Sequence, residues 1–266
     1  MSAVPRPIWS GAISFGLVNV PVKLYSAVSP KDVRFHQIDA RSNSRVRQKR
    51  VSSATGEEVA YEDIVKGYEL RPDTYVTITN EELDALDPKA TKTIDIEDFV
   101  DLDQIDPIYY ERPYYLVPDK GGAKAYALLR AAMSETNKVG IARVVLRTKQ
   151  YLAAIRPKGD VLVIETMLYP DEVNAAEDLG LPGEEVEITD REEKMARSLI
   201  DSLTTDFDPG KYRDNYRERV LALIEKKASG QQIVVEEATE EPAKVVDLMA
   251  ALEASLAAVK KERKSS

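Results

Sequence analysis

The sequence predicts a mainly β fold with an added helical part. Three observations carry that reading. Up to Pro170, short runs of Val, Ile, Leu and Tyr alternate with polar residues or stand between Gly, Pro and Asp punctuation. These runs are numerous and are separated by long insertions, which favours a barrel or sandwich over alternating βαβ units. After Pro170 the apolar spacing changes to that of amphipathic helices.

The elements follow in order. "GLVNVPVKLYSA" alternates Val18, Val20, Val22 and Leu24 with Asn19 and Lys23, so it reads as a strand with Pro21 at an edge or bulge. "KDVRFHQID" reads as a second strand, with Val33, Phe35 and Gln37 alternating with Arg34, His36 and Ile38. A basic polar stretch, "RSNSRVRQKRVSS", runs from Arg41 to Ser53 and precedes a turn at Gly56. "TYVTITNEEL" begins as a strand and becomes a helix where Thr79 and Glu82 have capping-box spacing. "KTIDIEDFV" is a strand in which Phe99 falls out of phase with Ile94 and Ile96. "PYYLVP" is a short strand fenced by Pro113 and Pro118.

"GGAKAYALLRAAMSETN" is helical, with Ala125, Leu128, Leu129 and Ala132 predicted as its inner face. "IARVVLRT", "YLAAIR" and "VLVIETMLY" are strands, the last two joined as a hairpin through Gly159-Asp160. Beyond Pro170, Thr189 and Glu192 cap a helix bearing Met195, Leu199 and Leu203 on one side. A further helix is predicted to start after Asp208-Pro209 and to end at Gly230. Residues 231–244 read as a linker. The final segment, 245–266, carries Val245, Leu248, Leu252, Leu256 and Val259 at heptad-like spacing and ends in a short basic tail.

Composition removes several classes of function. There is no cysteine, so disulfides, thiolate metal sites and cysteine nucleophiles are excluded. The single histidine, His36, disfavours polyhistidine zinc sites and Ser-His-Asp relays. P-loop and Rossmann glycine patterns are missing; Gly121-Gly122 is a lone pair before a helix. No metal or cofactor is expected. No apolar run reaches the length of a membrane helix, and the first residues read as mature structure, not as a signal peptide.

The net charge of −9 conceals blocks of opposite sign. Arg41, Arg45, Arg47, Lys49 and Arg50 stand together without an acid between them. Lys138 to Gly159 holds six cations and no acid, among them Arg143, Arg147 and Lys149. Two acidic blocks, 57–103 and 171–193, complete the pattern. The basic stretch by itself admits three readings: a solvated surface, a nuclear-import-like signal, or a nucleic-acid contact. In the last case backbone phosphates are the expected target, because no base-reading motif is present. A carboxylate-based hydrolase or transferase using Glu165 with Asp160 is a further reading, as is a recruitment scaffold acting through the C-terminal helix with DNA contact secondary.

"RPIWSGAISFGLVNVPVKLYSA" closely resembles the opening of the bacterial Ku family, DNA-end-binding proteins of non-homologous end joining. Matches continue in order through "RFHQID", "RVRQKRV", "GYEL", "YVTITNEEL", "IDPIYYERPYYLVPD", the segment from "KAYALLRAAMSETN" to "YPDEV", and "KMARSLIDSLTTDFDPGKYRDNYRERVLALIEKK". The resemblance covers roughly residues 6 to 230. It implies a Ku-type β-barrel core over about 1–170, a DNA-encircling bridge arm over about 40–75 and a helical arm over about 186–230. It also implies a ring-forming homodimer without catalytic activity, threaded by linear duplex ends. Arg34, Arg41, Arg45, Arg47, Lys49, Arg50, Arg143, Arg147 and Lys149 are the expected phosphate contacts. Five neutralised phosphates per protomer would give a log–log salt slope of about −9 as a ceiling. The tail is expected to recruit and stimulate an ATP-dependent DNA ligase through Leu248, Leu252 and Leu256. The expected location is cytoplasmic, at the nucleoid, with no membrane partner. Some relatives have Cys-x-x-Cys after the "KRV" equivalent; here those positions are Ser52 and Thr55, so no zinc is expected in the arm.

Overall fold

A computed structural model describes residues 6–86, 92–147, 149–176, 179–181, 183, 186–231 and 248–265. The chain divides into two compact units: residues 1–31 with 36–175, and residues 32–35 with 176–266.

The first unit begins with the hairpin β1 (Trp9–Phe15) and β2 (Val18–Ser26). A long excursion follows, holding β3 (Ile38–Asp39), β4 (Ser44–Arg45), β5 (Lys66–Arg71), β6 (Thr74–Ile78) and α1 (Asn80–Leu86). The chain then returns to β7 (Thr93–Asp101), β8 (Tyr110–Pro118), α2 (Ala123–Thr136), β9 (Lys138–Leu146), β10 (Lys149–Lys158) and β11 (Val161–Met167). Seven of these strands close a barrel in the order β1-β2-β8-β11-β10-β9-β7. An odd number of strands cannot alternate direction all the way round, so one neighbouring pair must be parallel. That seam is β1 with β7, where Ala12, Ile13 and Ser14 face Thr93, Ile94 and Asp95.

Period-two alternation fills the barrel. Ile13, Val20, Val22, Leu24, Ile94, Leu116, Val144, Ile155, Leu162 and Ile164 point into one core and are essentially removed from water. Each such side chain stabilises the fold by about 1.5–3 kcal/mol. The phase slip at Phe99 is a β-bulge: the register of β7 against β9 jumps between Ile96 and Asp98, with Glu97 as the extra residue.

Helix α2 packs on β2, β9 and β10 and closes one end of the barrel with Tyr126, Leu129 and Met133. The expected face was rotated: Leu128 is 70% exposed, and the buried row is Tyr126, Leu129 and Met133. The Tyr126 hydroxyl decides the rotation. It donates to the Leu116 carbonyl at 2.6 Å and accepts from the Leu162 amide at 2.7 Å, tying the helix to β8 and β11. Gly122, at the head of α2, lies against β2; a Cβ there would sit 2.5 Å from the Pro21 carbonyl oxygen. Gly122 therefore serves close packing, while Gly121, at φ +82°, supplies the left-handed turn before it. Pro21 itself lies one residue before β2 begins to pair with β8 at Val22, where its missing N–H is harmless.

"KDVRFHQID" is a strand only at its last two residues, Ile38 and Asp39 of β3. Residues 29–37 have no regular structure, Phe35 is exposed, and 32–35 group with the helical unit. The alternation there lacks a neighbouring strand to pair with; the Gln37 carbonyl instead accepts from the Val46 amide.

In the second unit α3 (Asp190–Leu203) carries the Thr189–Glu192 capping box. Met195 and Leu199 are half-buried, whereas Leu203 is exposed. The next helix starts later than expected. Asp208 accepts from the Gly210 amide and caps a single 3-10 turn, Pro209–Lys211; the cap of α4 (Asn215–Ala228) is Asp214, which accepts from Arg217. Gly230, at φ +77°, follows the end of α4. The last helix, α5 (Leu248–Ser265), packs against α3, with Arg191 and Glu253 paired at 3.1 Å. Leu252, Leu256 and Val259 are half-buried and Leu248 is exposed; Val245 and most of the expected linker lie outside the described residues.

Candidate nucleic-acid interface

The excursion between β2 and β7 positions the first group of cations. Asn43, in the left-handed region at φ +51°, turns the chain between β3 and β4, which pair Ile38 with Arg45 and Asp39 with Ser44. Asp39 organises this turn: it accepts from the Ser42 hydroxyl at 2.7 Å and from the Arg41 amide at 3.1 Å, and these bonds hold its carboxyl below the usual range. Val46 to Arg50 runs exposed and without regular structure. Then Val51 bridges to Glu58 across a turn closed by the Gly56 amide donating to Ser52, with Gly56 at φ +73°. Ser52 Oγ and Thr55 Oγ1 accept from the Ala54 and Glu57 amides, so hydroxyl–amide bonds shape this turn.

The cations here differ in their partners. Arg41 is 3.4 Å from Asp39, and Lys49 donates to Glu58 at 2.6 Å. Arg50 lies over the Tyr61 ring at 5.4 Å, which leaves its charge uncompensated. Arg45 and Arg47 have no ion pair among the described residues. Beyond them the two-stranded ribbon β5–β6 is exposed on both faces and presents Tyr68, Leu70, Tyr75 and Val76 to solvent.

The second group lies on the barrel. Arg143 points outward from β9 and pairs with Glu97, the bulge residue of β7, at 3.3 Å. Lys149, at the start of β10, pairs with Glu172 at 3.3 Å, and that bond raises its pKa. Arg147 sits in the β9–β10 turn at φ +61°, exposed and without an ion pair among the described residues. Arg34 belongs to the 32–35 segment of the other unit. The expected cations therefore form two clusters within the first unit, one on the excursion and one at the end of the barrel remote from α2.

The second cluster borders a cavity of about 240 Å³ that residue patterning did not single out. Trp9, Tyr114, Leu146, Tyr151 and Thr166 line it together with Arg112, Glu111 and Arg147. The signal that could have revealed it was Arg147 itself, an arginine after β9 at a left-handed position that favours Asn or Gly.

Glu165 and Asp160 form no catalytic pair. Glu165 accepts two bonds from Arg156, at 2.9 and 3.0 Å, while Asp160 lies in the hairpin turn beside Arg130. Five residues of strand separate them, roughly 16 Å. Tyr212 stacks on Phe207 at 6.0 Å, and Tyr216 is exposed.

These features define a class of protein: a closed mixed β-barrel that carries a long cation-bearing excursion between two of its strands. The chain belongs to the Ku family. The family model described as the Ku70/Ku80 beta-barrel domain matches residues 14–195. Relatives named "Non-homologous end joining protein Ku" include that of Anaeromyxobacter sp. (strain K), 51% identical over 96% of this chain and 86% of its own length. That of Heliobacterium modesticaldum is 47% identical over 98% of this chain and 95% of its own. That of Coxiella burnetii is 40% identical over 97% of each. Among the described residues, no helix is long and apolar enough to cross a membrane.

Proposed function

We propose that this chain binds the ends of double-stranded DNA, independently of sequence and without chemistry of its own, in non-homologous end joining. Two copies form a ring that a free end can thread, and the assembly recruits and stimulates an ATP-dependent DNA ligase. One observation carries the reading. Arg45 at the end of β4, and Arg47 and Arg50 on the irregular backbone that follows, project from an exposed excursion inserted into a Ku-family barrel, without acidic partners among the described residues. Such a surface suits phosphate rails and not base edges.

The ribbon β5–β6 supports the dimer. A two-stranded ribbon exposed on both faces is marginal alone in water, and its Tyr and Leu side chains call for a covering surface. A second copy of the chain is the occupant proposed.

The test compares linear duplex, closed circular duplex of equal length and linear duplex with bulky blocked ends. End threading requires tight binding to the first alone; equal affinity for all three refutes it. Deleting residues 245–266 separates end binding from recruitment. End binding persists and ligase stimulation falls if the barrel unit grips DNA. Loss of DNA affinity in the core would favour a recruitment scaffold.

A further inference from the structure

The barrel has one closed end and one open end. Helix α2 fills the first with Tyr126, Leu129 and Met133. The strand register places the 240 Å³ cavity at the other: Tyr151 is the third residue of β10, Leu146 ends β9, and Thr166 is one residue from the end of β11. Its walls continue the inward-facing rows of the core. Trp9 precedes Gly11 and Ile13 on β1; Arg112 and Tyr114 precede Leu116 on β8; Tyr151 precedes Ala153 and Ile155 on β10. The cavity is thus the mouth of the barrel lumen, a recurrent place for a small-ligand site.

Its chemistry is specific. Trp9, Tyr114 and Tyr151 offer aromatic surface. The Trp9 ring lies across Gly11, where a Cβ would fall 2.3 Å from the indole, so the glycine makes room for it. Glu111 is occupied: Thr166 donates to it at 3.2 Å and Arg112 lies 3.7 Å away. Arg147, at the rim, has no acid partner among the described residues and holds a left-handed backbone that an arginine adopts at a cost. Where a residue defies its local turn preference, the side chain is the usual reason.

We propose that this mouth receives one unpaired nucleotide, its base against Trp9, Tyr114 and Tyr151 and its phosphate on Arg147. A planar ring stacked on aromatics with a guanidinium on the phosphate is the general solution for single-stranded nucleic acid. The volume admits one base-sized group and excludes duplex. The inference rests on the end-binding reading for the origin of the nucleotide, which is a terminal overhang residue.

Trp9 is the single tryptophan of the chain, so its fluorescence reports this cavity directly. The full chain is titrated with dAMP, with inorganic phosphate, and with duplexes that are blunt or carry a one-nucleotide overhang. The expected result is saturable quenching by dAMP and by the overhang duplex, and none by phosphate or the blunt duplex. Arg147→Gly, which suits the positive φ, should weaken dAMP about tenfold; Tyr151→Leu should weaken it while keeping the apolar packing. No response to dAMP, a response indifferent to Arg147→Gly, or equal quenching by blunt and overhang duplexes overturns the proposal. Quenching by an acidic aromatic peptide but not by dAMP also overturns it, in favour of a protein partner. Duplex affinity measured by anisotropy reports end binding separately, so either idea can fail without the other.

Discussion

Lys49 donates to Glu58 over 2.6 Å beside the bridge that joins Val51 to the same glutamate. A cation already answered by an acid releases no counterion when DNA binds, so the basic run overstates the grip of the excursion. With Arg41 also paired, three cations per protomer remain: Arg45, Arg47 and Arg50. A dimer should therefore show a log–log salt slope of about −5, not the ceiling of about −9. Anisotropy titrations across salt concentrations measure it. A slope at the ceiling would mean that DNA breaks both ion pairs; a slope near zero would exclude this surface.

Glu58→Gln should free Lys49, tighten end binding at low salt and steepen the slope by about one per protomer. The pair is exposed, so thermal stability should stay within about 1 kcal/mol of the parent. Unchanged affinity in the variant would show that Lys49 faces away from the duplex.

Tyr126→Phe should destabilise the first unit by about 1–3 kcal/mol, because it strands the Leu116 carbonyl and the Leu162 amide in the core. Urea unfolding gives the value. An unaltered midpoint would mean that α2 is held by its apolar row without the hydroxyl.

Lys23 donates to Asp119 at 2.7 Å, and this bond holds the Asp119 carboxyl below its ordinary range while raising the Lys23 pKa. The carboxylate contribution is complete above about pH 4 and disappears as pH falls through the lowered value. The lysine contribution is complete below its unfolded pKa of about 10.4 and is lost as pH rises through the raised one. Asp119→Asn should flatten the acid limb of the stability–pH curve. An acid limb identical to the parent's would show that other carboxylates carry it.

Arg191→Glu should loosen α5 from α3 by setting a like charge against Glu253. Hydrogen exchange over residues 248–259 should quicken, and ligase stimulation should rise if the Leu252–Leu256 side is what the ligase recognises. Faster exchange with unaltered stimulation would place ligase docking elsewhere.

Much of the barrel was legible because period-two alternation needs no tertiary information: Val20, Val22 and Leu24 face inward as the pattern requires. Even the anomaly at Phe99 was visible, although its cause, the extra residue Glu97, needs the register of β9 to be seen. "VRFHQ" alternates equally well and pairs with no strand, since alternation cannot report whether a neighbouring strand exists. The inner face of α2 was misjudged because hydrophobicity ranks Leu128 above Tyr126, whereas two backbone partners at fixed positions select the tyrosine. At the candidate site the cations were countable, but their acid partners lie far along the chain, as with Arg143 and Glu97 or Lys149 and Glu172. The lumen mouth was invisible because its walls come from β1, β8, β9, β10 and β11.

The parallel seam has an architectural consequence. Strands β2 and β7 both flank β1, so the chain leaves the barrel on one side of a single strand and re-enters on the other. The two roots of a 66-residue insert, 27–92, are thus fixed by the register of one strand, two strand spacings apart across it and about 16 Å apart along it, whatever the insert contains. A clasp of that kind makes the insert an exchangeable cassette: lengthening or regrafting it alters what is grasped, while the staves of the barrel keep their places.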